Sequence, residues 1–231
     1  MATFQDAAGA AHFTPPLMIP DDGRYPRDLF ILPHHYHASI ESVLIPHGLI
    51  QDRVEAMASA ILNHYRGKTV HLICVLKGGS IFFSDLMRAM NSLHSNTGLD
   101  YIPYTMDFIR VSSYEGTEST GTVKVDLSYG DLSALNGRHI LFVEDIIDTG
   151  LTMVKLQEYF RTKTECSSME TATLLEKRTS RSNGYRANYA GFSIPDAFVI
   201  GYGLDYNEVF RDMRHICVIS EEGIRKYSGK Q

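Results

Sequence analysis

Two adjacent acidic residues near the middle of the chain are followed closely by a segment rich in hydroxyl groups. Residues 140–143 are apolar, Glu144 and Asp145 come next, and residues 148–152 read Asp-Thr-Gly-Leu-Thr. Free backbone amides at the start of a helix, together with a glycine and hydroxyls, form a cradle for an anion. Carboxylates repel phosphate, so acids beside such a cradle require a ligand that also carries hydroxyl groups or a metal ion. A ribose 5-phosphate with magnesium satisfies both requirements.

The elements that position these residues follow from the pattern of apolar side chains. Residues 140–143 are apolar on both faces, which is typical of a buried parallel strand. Residues 148–152 indicate a loop that leads into a helix. A structural alternative is a strand–turn–helix junction in which an aspartate and a threonine only cap the helix. The length of the motif, which extends over residues 143–150, favours ligand binding over capping alone.

Strands and helices alternate along most of the chain. Apolar residues recur every three or four positions over residues 49–65, which predicts an amphipathic helix. Two more helices are expected, at residues 80–90 and from 151 to about 162. Strands are predicted at residues 70–76, 101–110, 123–127, 140–143, 169–175 and 197–201. This order indicates an α/β fold, with a mostly parallel twisted sheet flanked by helices.

Ligands bind at the carboxyl ends of the strands in such sheets. The acids Glu144 and Asp145 follow one predicted strand, and the short glycine loop Lys77-Gly78-Gly79 follows another. The glycine loop alone would suit a tight turn equally well. Its place at the same edge of the sheet as the two acids favours contact with a phosphate group.

The composition restricts the partners that the chain can have. It has 231 residues and a formal net charge of −5, which does not suggest a broad surface for nucleic acid. Its three cysteines lack a metal-binding spacing and suit a reducing compartment. The neighbouring His34, His35 and His37 lack the cysteines or acids that would complete a metal site. Residues 1–20 do not resemble a signal peptide, and no apolar stretch of about 18 residues occurs. We therefore expect a cytoplasmic protein that binds neither nucleic acid nor a membrane.

The motif at residues 143–150, Val-Glu-Asp-Ile-Ile-Asp-Thr-Gly, resembles the phosphoribosyl pyrophosphate signature of the type I phosphoribosyltransferases. The block at residues 201–212, which includes Gly-Leu-Asp-Tyr-Asn-Glu, resembles the eukaryotic hypoxanthine-guanine branch of that family. Other blocks extend the resemblance from about residue 22 to residue 227. It implies a single phosphoribosyltransferase domain over residues 1–231. Its core would span about 45–201, and a small hood over the carboxyl ends of the strands would come from the N-terminal segment and about 202–231.

The resemblance assigns the metal and pyrophosphate contacts. The residues expected to hold Mg²⁺, the first two of which also bind the ribose hydroxyls, are Glu144, Asp145 and Asp205. Those expected to face pyrophosphate are Lys77, Gly78 and Arg211. In purine-using members of the family the peptide bond just before this lysine is cis. The same is therefore expected between Leu76 and Lys77.

The resemblance also assigns the residues around the 5-phosphate and a covering loop. Substrate contacts, including those of the Thr-Gly-x-Thr segment to the 5-phosphate, are expected from Ile146, Thr149, Gly150, Leu151 and Thr152. Ser113 and Tyr114 would lie on a mobile loop, residues 112–122, that closes over the site. The sequence departs from the family pattern at two places. Leu151 stands where many members have a basic residue, and residues 115–118 differ from the common loop sequence.

The base side of the site is assigned in the same way. Asp148 is expected to accept or share the proton on purine N7, and Lys177 to contact the 6-oxygen. Phe198 would stack on the ring, while backbone groups near Val199 and Asp205 read the 2-position edge. From spacing alone, Lys177 would equally suit a solvated turn and Phe198 the core.

The implied reaction belongs to purine salvage. It joins hypoxanthine or guanine to phosphoribosyl pyrophosphate and gives IMP or GMP with release of pyrophosphate. The family is usually dimeric or tetrameric, so a homodimer or a homotetramer is expected. A phosphoribosyltransferase for another base is one alternative, although adenine would require an acceptor where Lys177 offers only donors. A regulator that binds the donor without catalysis is another. The relative use of hypoxanthine, guanine and xanthine stays open at this point.

Overall fold

The computed structural model describes residues 14–97, 102–113, 123–127 and 132–229. The strands in this part of the chain are β1 (Leu17–Met18), β2 (Tyr25–Pro26), β3 (Ile40–Ile45), β4 (Val70–Leu76), β5 (Tyr104–Ser113), β6 (Val123–Leu127), β7 (His139–Ile147), β8 (Ser168–Arg178), β9 (Tyr189–Pro195), β10 (Val199–Ile200) and β11 (Ile216–Ile219). The α-helices are α1 (His47–His64), α2 (Ser80–Thr97), α3 (Leu151–Arg161) and α4 (Glu221–Tyr227). Short 3₁₀ segments occur at Arg27–Leu29, His34–Ser39 and Leu132–Leu135.

The strands form two sheets. The larger has the order β1-β9-β8-β7-β4-β5-β6, in which the pairing of β5 with β6 is antiparallel and the other neighbours run parallel. The smaller has the order β10-β11-β3-β2 and is antiparallel. The predicted α/β fold with a mostly parallel sheet is therefore confirmed.

The core is built from strands that are apolar on both faces and from one face of each long helix. Residues 70–75 of β4 and 140–144 of β7 are buried, as expected for central parallel strands. On α1, the buried side chains recur at three and four residues: Ile50, Val54, Met57, Ala58, Ile61 and Leu62. Burial of one such aliphatic side chain contributes about 1.5–3 kcal/mol. This packing makes the sheet a rigid platform for the loops at its edge.

Two features of the sheets differ from the sequence-based expectation. The strand predicted at residues 197–201 is reduced to Val199–Ile200, and it belongs to the smaller sheet rather than the parallel one. Strand β9 was not predicted, although its seven residues are buried. Its glycine, Gly191, is needed because a Cβ there would lie 2.6 Å from the carbonyl oxygen of Leu174 on β8.

Candidate active site

A pocket of about 240 Å³ lies at the carboxyl ends of β4 and β7. The glycine loop follows β4 at the edge of the pocket. The two acids lie near the end of β7, and α3 begins just after it. The pocket is lined by Val75, Leu76, Gly78, Val111, Glu144, Asp145, Ile146, Ile147, Asp148, Thr149, Gly150, Thr152 and Met153. Eight of the residues predicted to bind substrate or metal are in this lining. The structure therefore brings together the glycine loop and the acidic motif.

The two acids are held at the end of β7 with their charges close together. Glu144 is 8% exposed, and its Oε1 accepts a hydrogen bond from the backbone N–H of Asp145 at 3.2 Å. Asp145 Oδ1 accepts one from the N–H of Ile146 at 2.8 Å. Burial, and then the charge of Asp145, raises the pKa of Glu144, and burial raises the pKa of Asp145. Such a pair is stabilised by a cation or by hydroxyl donors.

The donor set at this position fits a hard cation. Carboxylate oxygens are the ligands that Mg²⁺ prefers, and it commonly takes one or two of them and completes its shell with substrate phosphates and water. Within the described parts of the chain, no group of three or more His, Cys, Asp and Glu side chains is arranged to hold a metal ion. A magnesium ion at Glu144 and Asp145 would take further ligands from the substrate and from water, and Asp205 stays a prediction as a third protein ligand.

The start of α3 forms the anion cradle that the sequence indicates. Gly150 has a φ of +81°, and a Cβ there would lie 2.4 Å from Asn183 Oδ1 and 2.7 Å from Tyr185 Cβ. The hydroxyl of Thr149 accepts a hydrogen bond from the N–H of Leu151 at 3.3 Å. The next amides of the first turn have no acceptor within the helix, so they are available to an anion. The side chain of Leu151 is exposed, and only its backbone takes part in this cradle.

The glycine loop after β4 lies directly against the acidic motif. The peptide between Leu76 and Lys77 is cis, as expected. A Cβ placed on Gly78 would lie 1.6 Å from Asp145 Oδ2, and one on Gly203 would lie 2.3 Å from the carbonyl oxygen of Gly78. The backbone of the glycine loop thus lies close both to the side chain of Asp145 and to the backbone at Gly203. The absence of a side chain at Gly78 leaves room for Asp145, and its absence at Gly203 leaves room for the glycine loop.

The loop after β10 brings more charged groups to the glycine loop. Arg211 contacts Asp205 at 2.9 Å and Glu208 at 3.3 Å, and it donates a hydrogen bond to the carbonyl oxygen of Gly203 at 2.7 Å. Its Nε is buried and has no hydrogen-bond partner among the residues that the structure describes. Lys77 Nζ lies 2.7 Å from Glu208 Oε2. The sequence motifs predict Lys77, Asp205 and Arg211 in the site, but no motif assigns a role to Glu208.

Lys177, at the end of β8, lies next to the end of the acidic motif. Its Nζ is 3.3 Å from Asp148 Oδ2 and 3.9 Å from Asp196 Oδ1, and its side chain is only 10% exposed. Arg181 Nη2 lies 3.1 Å from Asp148 Oδ1 and 3.9 Å from Asp196 Oδ1. No sequence motif assigns a role to Arg181 or Asp196. The only local signal was the cluster of basic residues that begins at Lys177.

Phe198 immediately precedes the short strand β10. Its side chain is 49% exposed, and its ring meets Tyr206 edge-on with centroids 5.3 Å apart. An exposed aromatic face of this kind is suited to stacking on a flat ring. Val199 is buried, so only its backbone can face a ligand. Ser113 is the last residue of β5, and the predicted contacts of Tyr114 and of residues 115–122 lie outside the described residues.

The fold and this site define a class of enzyme that handles a phosphorylated sugar at the strand ends of a parallel sheet. Residues 44–207 match the family of the phosphoribosyl transferase domain. The chain therefore belongs to the phosphoribosyltransferase family.

Several similar proteins belong to one branch of this family. The chain is 49% identical over 215 residues to the hypoxanthine-guanine phosphoribosyltransferase of Mus musculus, which covers 93% of this chain and 97% of that protein. It is 48% identical over 215 residues to the enzyme of the same name from Homo sapiens, with the same coverage. The crystal structure of hypoxanthine-guanine phosphoribosyltransferase from Schistosoma mansoni in complex with IMP superposes with a TM-score of 0.77. It is 34% identical and covers 93% of this chain and 100% of that chain. Among the described helices, none has the length and apolar character needed to cross a bilayer.

Proposed function

We propose that this chain transfers the 5-phosphoribosyl group of phosphoribosyl pyrophosphate to hypoxanthine or guanine, giving IMP or GMP and pyrophosphate. The observation that carries the proposal is the contact between Lys177 and Asp148. It places Lys177, the residue expected to contact the purine 6-oxygen, beside the pocket. Asp148 lines the pocket that also contains the acids and the anion cradle. The likeness to hypoxanthine-guanine phosphoribosyltransferases over nearly the whole chain supports this choice of substrates.

The donor would bind along the pocket from the cradle to the glycine loop. The amides and hydroxyls at the start of α3 receive the 5-phosphate, and Glu144 and Asp145 face the ribose hydroxyls. The pyrophosphate then points toward Lys77 and Arg211. Magnesium held by Glu144 and Asp145 would neutralise charge on the departing pyrophosphate. Held in line by these contacts, the two substrates react as one assembled pair, which lowers the entropic part of the barrier.

The purine would lie between Phe198 and Asp148. Lys177 offers only donor groups, so it suits the 6-oxygen of hypoxanthine or guanine and not the 6-amino group of adenine. Asp148 takes or shares the N7 proton as N9 attacks the ribose C1′, which relieves the positive charge that develops on the base. General acid–base catalysis of this kind contributes about 10²–10⁴-fold. The contacts of Asp148 with Lys177 and Arg181 fix the direction of its carboxylate.

We also propose how the chain is divided into a core and a hood. The smaller sheet takes β2 and β3 from one end of the chain and β10 and β11 from the other. We assign it to the hood of a single domain, whose core lies at about residues 45–201. The loop from this sheet reaches the glycine loop at Gly203. By analogy with the family, the enzyme acts in the cytoplasm as a homodimer or homotetramer, which light scattering can test.

A selectivity assay tests the proposal. The protein is incubated with magnesium and phosphoribosyl pyrophosphate, and with hypoxanthine, guanine, xanthine, adenine or orotate in separate reactions. We expect nucleotide from hypoxanthine and guanine and little from adenine or orotate. Efficient use of adenine or orotate would assign the chain to another base. Binding of the donor without any nucleotide would favour a regulator.

A further inference from the structure

One carboxylate contacts both of the cations that we assign to pyrophosphate. Glu208 Oε2 lies 2.7 Å from Lys77 Nζ, and Glu208 Oε1 lies 3.3 Å from Arg211 Nη2. Lys77 belongs to the loop after β4, whereas Arg211 and Glu208 belong to the loop after β10. The carboxylate therefore bridges the two segments at the place where the pyrophosphate of the donor would lie.

The backbone around Glu208 is held in an unusual conformation. Asn207 and Glu208 have φ angles of 51° and 68°, a left-handed conformation that non-glycine residues rarely adopt. The turn is held by a hydrogen bond from the N–H of Glu208 to Asp205 Oδ2 at 2.8 Å. A second, at 2.6 Å, runs from Asn207 Nδ2 to the carbonyl oxygen of Tyr227. Residues in such conformations are retained where the surrounding contacts enforce them, often at functional sites.

The charge and oxygens of this carboxylate match those of a phosphate group. Lysine and arginine bind carboxylates and phosphates through the same charge-assisted hydrogen bonds. Both cations are therefore already paired with an anion from the chain itself. Pyrophosphate must displace this anion, although the buried Nε of Arg211 is free of any partner in the described structure and offers it a further donor.

We propose that Glu208 is a stand-in for pyrophosphate. It pairs with Lys77 and Arg211 when pyrophosphate is absent, and it leaves them when pyrophosphate binds. It therefore lowers the affinity for pyrophosphate and speeds release of this product. The inference rests on the proposed function, because that function assigns the two cations to pyrophosphate.

The size of the effect follows from the exposure of the groups. The side chains of Lys77 and Glu208 are 46% and 63% exposed, so their ion pair is screened by water. Exposed pairs contribute little, and their release during binding is expected to cost about three- to tenfold in affinity. The variant Glu208→Gln should therefore bind pyrophosphate about three- to tenfold more tightly.

Calorimetric titration of the full chain tests the inference. Pyrophosphate with magnesium chloride is titrated into the wild type, Glu208→Gln and Glu208→Ala, and thermal melts establish that each variant is folded. Ribose 5-phosphate is titrated into the same proteins. Glu55→Gln, on the exposed surface of α1, is the matched control because it removes the same charge far from the site.

The titrations distinguish the effect of the Glu208 contacts from the effect of a changed net charge. We expect tighter pyrophosphate binding in both Glu208 variants, unchanged binding of ribose 5-phosphate, and no gain in Glu55→Gln. Unchanged or weaker pyrophosphate binding in the Glu208 variants would overturn the inference. An equal gain for ribose 5-phosphate or in Glu55→Gln would also overturn it, because the cause would then be the overall field. If the wild type bound no pyrophosphate, the proposed function would fail as well.

Discussion

Replacement of Gly78 by alanine perturbs the site at a position where geometry predicts the result. A Cβ at this residue would lie 1.6 Å from Asp145 Oδ2. Asp145 Cγ would lie 2.6 Å from this Cβ as well, and both atoms belong to the side chain. Rotation about the Cα–Cβ bond of Asp145 can therefore relieve the clash while the backbone stays in place. The substitution should therefore spare the fold and remove the carboxylate from the position in which it meets the ribose and magnesium.

The magnitude follows from the distance. A Cβ contact needs at least about 3.0 Å, so the two groups must separate by roughly 1.4 Å, and misplacement by about 1 Å in an active site can cost about 10²-fold in rate. Turnover in Gly78→Ala should fall by at least that factor. Rotation of Asp145 also breaks its hydrogen bond with the N–H of Ile146. Loss of one such bond costs about 0.5–1.5 kcal/mol, or a few degrees in the thermal midpoint.

The assay measures nucleotide formation from hypoxanthine beside a thermal melt. Gly48→Ala is the matched control, because Gly48 lies in α1 and a Cβ there meets nothing within 4 Å. Alanine also favours a helix by up to about 1 kcal/mol. Gly48→Ala should retain activity and lose no stability. Near wild-type activity in Gly78→Ala would refute the assigned role of Asp145, and unfolding of Gly78→Ala would refute the assumption that the side chain yields first.

Three further predictions address the base and the covering loop. Asp148→Asn should keep the fold and donor binding but slow the forward reaction by about 10²–10⁴-fold; near wild-type turnover with hypoxanthine and guanine would contradict its role as base. Lys177→Ala should weaken binding of IMP more than of ribose 5-phosphate, and equal losses in the two titrations would make Lys177 structural. Residues 112–122 contain few apolar side chains, so the sequence predicts fast amide exchange that slows only when a tight bisubstrate mimic binds. Exchange that the mimic leaves unchanged would remove the covering loop from the mechanism.

The elements that could be predicted from the sequence are those with an uninterrupted pattern of apolar residues. Residues 70–76 and 123–127 were predicted as strands with the bounds that the structure shows. Strand β7 and the start of α3 were also located, because an apolar run there ends in polar residues. Strand β9 escaped prediction because Gly191, Ser193 and Pro195 interrupt its apolar residues. Its stability comes from pairing with β8, which no local pattern reveals.

Contacts between residues that are distant in the sequence also explain which parts of the site were not predicted. The acids and the anion cradle lie within nine consecutive residues, so their spacing could be interpreted directly. Glu208 meets Lys77 across 131 positions of sequence, and Arg181 meets Asp148 across 33. Exposed charged residues of this kind are usually solvated, so their types alone gave no reason to select them. Only the folded chain shows which cations they neutralise.

Product analysis of one reaction shows whether the chain transfers the phosphoribosyl group to a purine. Hypoxanthine, phosphoribosyl pyrophosphate and magnesium are mixed with the wild-type protein, and IMP and pyrophosphate are quantified by chromatography, with Gly78→Ala in parallel. We expect equal amounts of IMP and pyrophosphate from the wild type, and a rate at least about 10²-fold lower from Gly78→Ala. Absence of IMP, or breakdown of the donor to ribose 5-phosphate and pyrophosphate without nucleotide, would contradict the proposed function.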